Sequence, residues 1–172
     1  MKAAVRGFRP EDAAGVAAVI LPIQREEFGI PITLEQQPDL LDILGFYRRG
    51  GGNFWVAECE GTIVGTVGLL DIGNRQGALR KMFVVRAHRG REQGVAQQLL
   101  DGLLRWAAAG GIDQIFLGTT EKFLAAHRFY ERNGFGEVAR ESLPEAFPVM
   151  AVDFKFYRID IMGNDARSTS GC

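Results

Sequence analysis

Cysteine is nearly absent: Cys59 and Cys172 are the two in 172 residues. One stands in a strand-like run and the other ends a small polar tail, which excludes a scaffold built on disulfides. Histidine is as scarce, His88 and His127 alone, and with two distant cysteines they offer no metal-ligand spacing. No apolar run reaches bilayer-spanning length and no basic start leads into an apolar signal core, so the expectation is a soluble, cytoplasmic chain. Neither sign of charge is in excess: Lys+Arg 20 against Asp+Glu 21 gives a net charge of -1, which removes any global pull toward nucleic acid or an anionic membrane. Two phosphate fingerprints are missing as well, Gly-x-x-x-x-Gly-Lys-Ser/Thr and Gly-x-Gly-x-x-Gly, against a nucleotide triphosphatase or a dinucleotide dehydrogenase.

What is present is apolar enough, at 47%, to bury one sizeable core. The expected layout is a single domain over residues 1–160 and a disordered polar tail over 161–172. Residues 3–8 read as a strand, and Pro10-Glu11-Asp12 opens a helix through Val16, Val19 and Ile20 that Pro22 perturbs. A loop or broken helix follows, then a helix over residues 39–47. Residues 54–59 and 63–70 form a hairpin about Glu60-Gly61-Thr62, and residues 78–85 extend it to a three-strand meander. Val95, Leu99, Leu103 and Trp106 space out one face of a helix that Gly110-Gly111 stops. Residues 112–118 are a strand parallel to its predecessor, 123–133 a helix closed by Gly134, and 149–159 a final strand.

The richest stretch joins the third meander strand to the long helix. There Arg86, Arg89 and Arg91 surround Gly90 and Gly94. A helix N-terminus presents unpaired N–H groups and the positive end of the macrodipole, so a pyrophosphate would fit. A solvated Arg/Gly connection would look the same.

This element order resembles the GNAT (GCN5-related) N-acetyltransferase superfamily over residues 3–158. Two motifs carry the resemblance: Arg91-Glu92-Gln93-Gly94-Val95-Ala96, similar to the family's Gln/Arg-x-x-Gly-x-Gly/Ala acyl-CoA loop, and Phe129-Tyr130-Glu131-Arg132-Asn133-Gly134-Phe135, similar to its Tyr-x-x-x-Gly-Phe helix end. The resemblance implies an α/β (α+β) fold with a mixed, mostly antiparallel sheet flanked by helices, its fourth and fifth strands splayed. It implies acetyl-CoA as co-substrate, with Arg89, Gly90, Arg91, Glu92, Gln93, Gly94, Val95 and Ala96 at the pyrophosphate; whether Arg89-Gly90 or Arg91 fills the first loop position stays open. Main-chain groups of Met82, Phe83 and Val84 would meet the pantetheine arm, and one of their N–H groups would polarise the acetyl carbonyl. Phe123 stands near where many relatives place an Asn.

The resemblance also implies direct attack of an amine on the thioester, with Tyr130 protonating the departing thiolate; a phenol packed in the core is the other role open to Tyr130. Glu121 is a candidate base or amine anchor, or a charge at a helix start. Glu26 and Glu27 lie where relatives shape the acceptor pocket, and water is an alternative base. The acceptor is a small-molecule or peptide amine, and the C-terminal strands are compatible with a homodimer. A CoA-binding sensor without turnover is the second function class, and nucleic-acid binding through Arg80 to Arg91 a third.

Overall fold

The computed structural model describes residues 2–121 and 123–161, and among them seven strands form one sheet in the order β1-β2-β3-β4-β5-β7-β6. β1 (Ala4–Gly7), β2 (Asn53–Cys59), β3 (Thr62–Gly73) and β4 (Gln76–Val84) pair antiparallel in succession. Their turns carry positive φ at Glu60 and Gly61 and at Asn74 and Arg75, the hand that matches strand twist. β5 (Gln114–Thr119) follows a helical crossover and so lies parallel to β4, while β6 (Gly136–Val138) and β7 (Lys155–Asp160) close the other side antiparallel. The mixed, mostly antiparallel sheet expected from sequence is the one observed.

Alternation along β2 shows how the two faces are covered. Trp55, Ala57 and Cys59 enter the core beneath α4 (Val95–Ala109) and α5 (Leu124–Arg132). Phe54 and Val56 enter the core beneath α1 (Ala13–Pro22), α2 (Pro38–Leu41) and α3 (Ile43–Tyr47). Period-two alternation against helices on both faces is what a twice-covered sheet requires.

Three elements differ from expectation. The helix expected over residues 39–47 is two: Asp42 leaves helical φ/ψ at −147° and 78°, and its carboxylate caps the amide of Gly45 at 3.0 Å, a local bond that competes with helix continuation. On α4 the buried stripe runs through Leu100 and Ala107 rather than Trp106, which is 45% exposed and donates its indole N–H to the Gly51 carbonyl at 2.8 Å. The final strand begins at Lys155, not at residue 149, because residues 150–153 close a turn: the Asp153 amide donates to the Met150 carbonyl and the Met150 amide to the Asp153 carboxylate. Residues 162–172 of the expected tail lie outside the described residues.

The sheet edge is held by Arg6, whose guanidinium meets both oxygens of Asp12 at 2.7 and 2.9 Å and Glu58 at 3.0 Å. Asp12 also accepts the Arg9 amide and is buried. The Arg6 hydrogen bonds hold its carboxyl below the usual carboxylate range. A depressed pKa stabilises the fold above the unfolded value and loses that contribution as pH falls through the folded one. Asp12→Ala is therefore expected to cost about 2 kcal/mol in denaturant unfolding at pH 7, and the difference from the parent should shrink on acidification below about pH 4.

Candidate active site

β4 and β5 share register only from Gln76–Gln114 to Ala78–Phe116. Beyond that point β4 continues against β3 to Val84 and β5 against β7 to Thr119, so the two strands part and leave β4 with an unpaired edge. The splay opens a cleft of about 780 Å³.

β4 is also bulged. Thr66 pairs with Phe83 and Gly68 with Arg80, so Val67 faces two residues, Lys81 and Met82. Lys81 sits at φ 57°, a left-handed conformation that a non-glycine residue adopts at some cost. The bulge is stitched by the Thr66 hydroxyl, which donates to the Lys81 carbonyl at 2.7 Å. Its consequence is directional: Met82 packs into the α4 core and Phe83 into the α1 core, while Arg80 and Lys81, though consecutive, both reach the α1–α3 face. Arg80 lies over the Phe46 ring at 5.6 Å, and the buried Lys81 ammonium donates to Gln37 at 2.6 Å, 3.7 Å from Asp39. Desolvation lowers the Lys81 pKa. Gln24 and Gln37 exchange side-chain bonds at 2.9 Å, and the Tyr47 hydroxyl donates to Asp39 at 2.6 Å. The cluster is buried and bonded throughout, as a polar group out of water must be.

On the α4 side of the cleft, Gly94 precedes the helix at φ 69° without a side-chain cap. The first backbone bond into the helix is from the Gln98 amide to the Gly94 carbonyl, which leaves the amides of Val95, Ala96 and Gln97 at an open helix mouth. Gly90, Arg91, Gly94 and Ala96 line the cleft here, with Met82, Phe83 and Val84 along the strand. Glu92 and Gln93 stand exposed outside its walls, and Val95 is buried in the core, so its backbone alone can face a ligand. Arg89 and Glu27, assigned from sequence to phosphate and acceptor, are brought together instead: the guanidinium fork grips the carboxylate at 2.7 and 2.8 Å and its Nε donates to the Val84 carbonyl at 2.7 Å. Arg89 holds the Glu27 carboxyl below its usual range. Arg89 lines the cleft nonetheless, as do Arg91 and Arg132, neither of which has a carboxylate within ion-pair distance among the described residues.

This grip exists because the chain after Pro22, expected as a loop or broken helix, forms one π-helical turn, Ile23–Glu27. The turn aims Gln24 inward and Glu27 at Arg89. Just beyond it Phe28 meets Phe123 edge-on at 4.1 Å and Phe83 at 5.9 Å. Phe123 thus bridges the mouth of the cleft from α5.

Tyr130 lines the cleft from α5, buried among Phe129, Phe135 and Tyr157. It makes no hydrogen bond within the described residues, and burial raises its pKa so that the phenol stays protonated. Glu121 and Glu26 are exposed and outside the cleft walls. His127 is turned away as well, its Nε2 bonded to the Thr120 carbonyl at 2.9 Å.

The carboxylate that does line the cleft is Asp153, which sequence reading missed. It rests against β5 at Gly118, where a Cβ would fall 2.6 Å from the carboxyl group; only glycine leaves it room. Desolvation raises its pKa, opposed by the Met150 amide and by the nearby Arg80 and Arg140. The signal that could have found it is a lone acid following Val149-Met150-Ala151-Val152.

Among the described residues no group of three His, Cys, Asp or Glu side chains could hold a metal ion, and no helix is long and apolar enough to cross a membrane.

The model of the Acetyltransferase (GNAT) family matches residues 18–135. A solved acetyltransferase of the GNAT family from Staphylococcus aureus MU50 is 37% identical, superposes with a TM-score of 0.88, and is covered over 93% of this chain and 99% of its own. Two curated relatives align over shorter stretches. The probable N-acetyltransferase family 8 member 5 of Mus musculus is 35% identical over 111 residues, 62% of this chain and 48% of its own length. The N-acetylaspartate synthetase of Xenopus tropicalis is 38% identical over 104 residues, 58% and 37% respectively. The match spans half or less of either curated relative.

Proposed function

The chain belongs to the GNAT family of acetyltransferases, and from that premise we propose that it transfers the acetyl group of acetyl-CoA to an amine by direct attack. The observation that carries this reading is convergence: the unpaired edge of β4, the open mouth of α4 and the unbonded Tyr130 all face one cleft. The residues present suit the co-substrate. The amides of Val95, Ala96 and Gln97, with Arg91 beside them, are donors for a pyrophosphate, and the edge of β4 from Leu79 to Val84 can take an extended amide-bearing arm as an added strand.

Acetyl-CoA supplies an activated acyl carbon. Main-chain N–H groups at the bulge polarise its carbonyl. Asp153 takes a proton from the incoming ammonium, so that a neutral amine forms the C–N bond as the C–S bond breaks. Tyr130 donates its hydroxyl proton to the departing sulfur and recovers one from the nitrogen by way of solvent, so one proton is released per turnover. Neither Glu121 nor Glu26 reaches the walls where this occurs, and Glu27 serves by clasping Arg89. The acceptor named for one relative, aspartate, is not carried over.

Calorimetric titration with acetyl-CoA is the direct test. Binding is expected with the parent chain, weakened about tenfold by Arg91→Ala, and absent with NAD as ligand. Failure of acetyl-CoA to bind the parent would overturn the assignment.

A further inference from the structure

Resting on acetyl transfer to an amine in this cleft, we propose that the acceptor is an α-amino acid with an apolar side chain, its carboxylate held by Arg80 and its ammonium by Asp153. Of the cations around the α1–α3 side of the cleft, Lys81 is bonded to Gln37 and stands 3.7 Å from Asp39, and Arg89 is clasped by Glu27. Arg80 is different. It is half-buried on the cleft wall, and no carboxylate lies within ion-pair distance of it among the described residues. Its neighbours are the Phe46 ring and, at 3.6 Å from Nη2, the thioether sulfur of Met150, a weak acceptor. A planar fork with donors to spare is suited to a carboxylate.

Asp153 is the complementary case. No cation lies within ion-pair distance of it among the described residues, and its single short bond comes from the Met150 amide. Arg80 and Asp153 therefore touch the same residue, Met150, one at its side chain and the other at its backbone, yet do not pair. Opposite charges half-buried on one wall and held apart leave a gap that a zwitterion closes, ammonium to Asp153 and carboxylate to Arg80. The gap sits beside the end of β5, against Gly118, where the strands part.

The apolar part of the wall seats the side chain: Ile30, Ile32, Phe83, Phe147 and Val152 face the cleft. Of the polar residues that also line it, Gln24 and Gln37 are bonded to each other and Gln36 to Thr33, while Thr119 and Thr120 lie at the end of β5. Among the described residues on this side of the cleft, Arg80 is the cation without a carboxylate partner and serves one carboxylate; a second, as in aspartate, would be desolvated here without a partner.

The test compares phenylalanine, phenylalanine amide, phenethylamine and aspartate as acceptors, reading CoA thiol release by the parent chain and by Arg80→Gln and Arg80→Lys. With the parent, kcat/KM for phenylalanine is expected to exceed that for the amide and for phenethylamine by roughly 10- to 100-fold, the range for a charge-assisted pair, and to exceed that for aspartate. In Arg80→Gln the preference for the free acid should collapse toward unity, through KM, with Arg80→Lys intermediate. Equal use of phenethylamine and phenylalanine by the parent overturns the inference, and that comparison needs no variant to fold. Acetyl-CoA binding with turnover of none of the carboxylate-bearing acceptors overturns it while the cofactor reading stands; absence of acetyl-CoA binding removes both.

Discussion

Asp153→Asn is expected to lower kcat/KM for the acceptor about 100-fold at pH 7 and to replace the carboxylate's acidic limb by the steady slope of amine deprotonation in solution. The magnitude is that of a positioned general base. The sign of the limb follows from geometry. Asp153 must be ionised to take the ammonium proton, and desolvation against β5 raises its pKa more than the Met150 amide, Arg80 and Arg140 lower it. In the parent, kcat/KM should therefore fall with decreasing pH from a point above the ordinary carboxylate value, whereas in Asp153→Asn, where only amine already neutral in solution can react, it should rise steadily with pH toward the amine's own pKa with no break at the carboxylate. Stability should move the other way. A carboxyl whose pKa rises on folding destabilises the fold at pH values above it, so the neutral amide, which can still accept from Met150, should leave the thermal midpoint unchanged or higher. Loss of rate without loss of stability separates a base from a structural carboxylate. A kcat/KM within threefold of the parent would remove Asp153 from the reaction.

The frame was open to sequence reading because most of it follows from local rules. Turn residues at Glu60-Gly61 and Asn74-Arg75 set the meander, and a helical crossover obliges β5 to lie parallel to β4. The elements that escaped are those where a side chain overrides periodicity: Asp42 capping Gly45 splits one helix into two, and Asp153 capping Met150 converts a strand-like apolar run into a turn. Both are acids that bond a backbone amide three residues away, a competition that apolar spacing does not record.

The site divides along the same line. Of its backbone part, the glycine loop was legible because glycine at a left-handed helix entry is a sequence-level feature, while the parting strands were expected only through the family resemblance. Its side-chain part was less so. The β4 bulge turns Arg80 and Lys81 to one face at a residue, Lys81, that has no compositional preference for φ 57°. The Arg89–Glu27 clasp joins residues 62 positions apart through a π turn that no local pattern marks. Charges that look alike in sequence are sorted by these two backbone irregularities into clasped, buried and available.

Tyr130→Phe should reduce kcat about 100-fold while leaving KM for acetyl-CoA within about twofold and the thermal midpoint unlowered. Tyr130 is well suited to this substitution because its hydroxyl has no protein partner among the described residues, so no intramolecular hydrogen bond is lost and the ring keeps its packing against Phe135 and Tyr157. The free energy removed is then confined to what the hydroxyl does with a ligand. Burial keeps the phenol protonated through neutral pH, so it meets the departing sulfur as a donor. A thiolate forming in a desolvated cleft carries charge that water would otherwise solvate, and a phenol aimed at it stabilises that charge first and delivers its proton as the C–S bond opens. A decrease of only about threefold would mean that solvent protonates the sulfur and that Tyr130 is packing alone. A decrease in kcat matched by an equal rise in KM for acetyl-CoA would mean that the hydroxyl holds the bound co-substrate rather than the transition state.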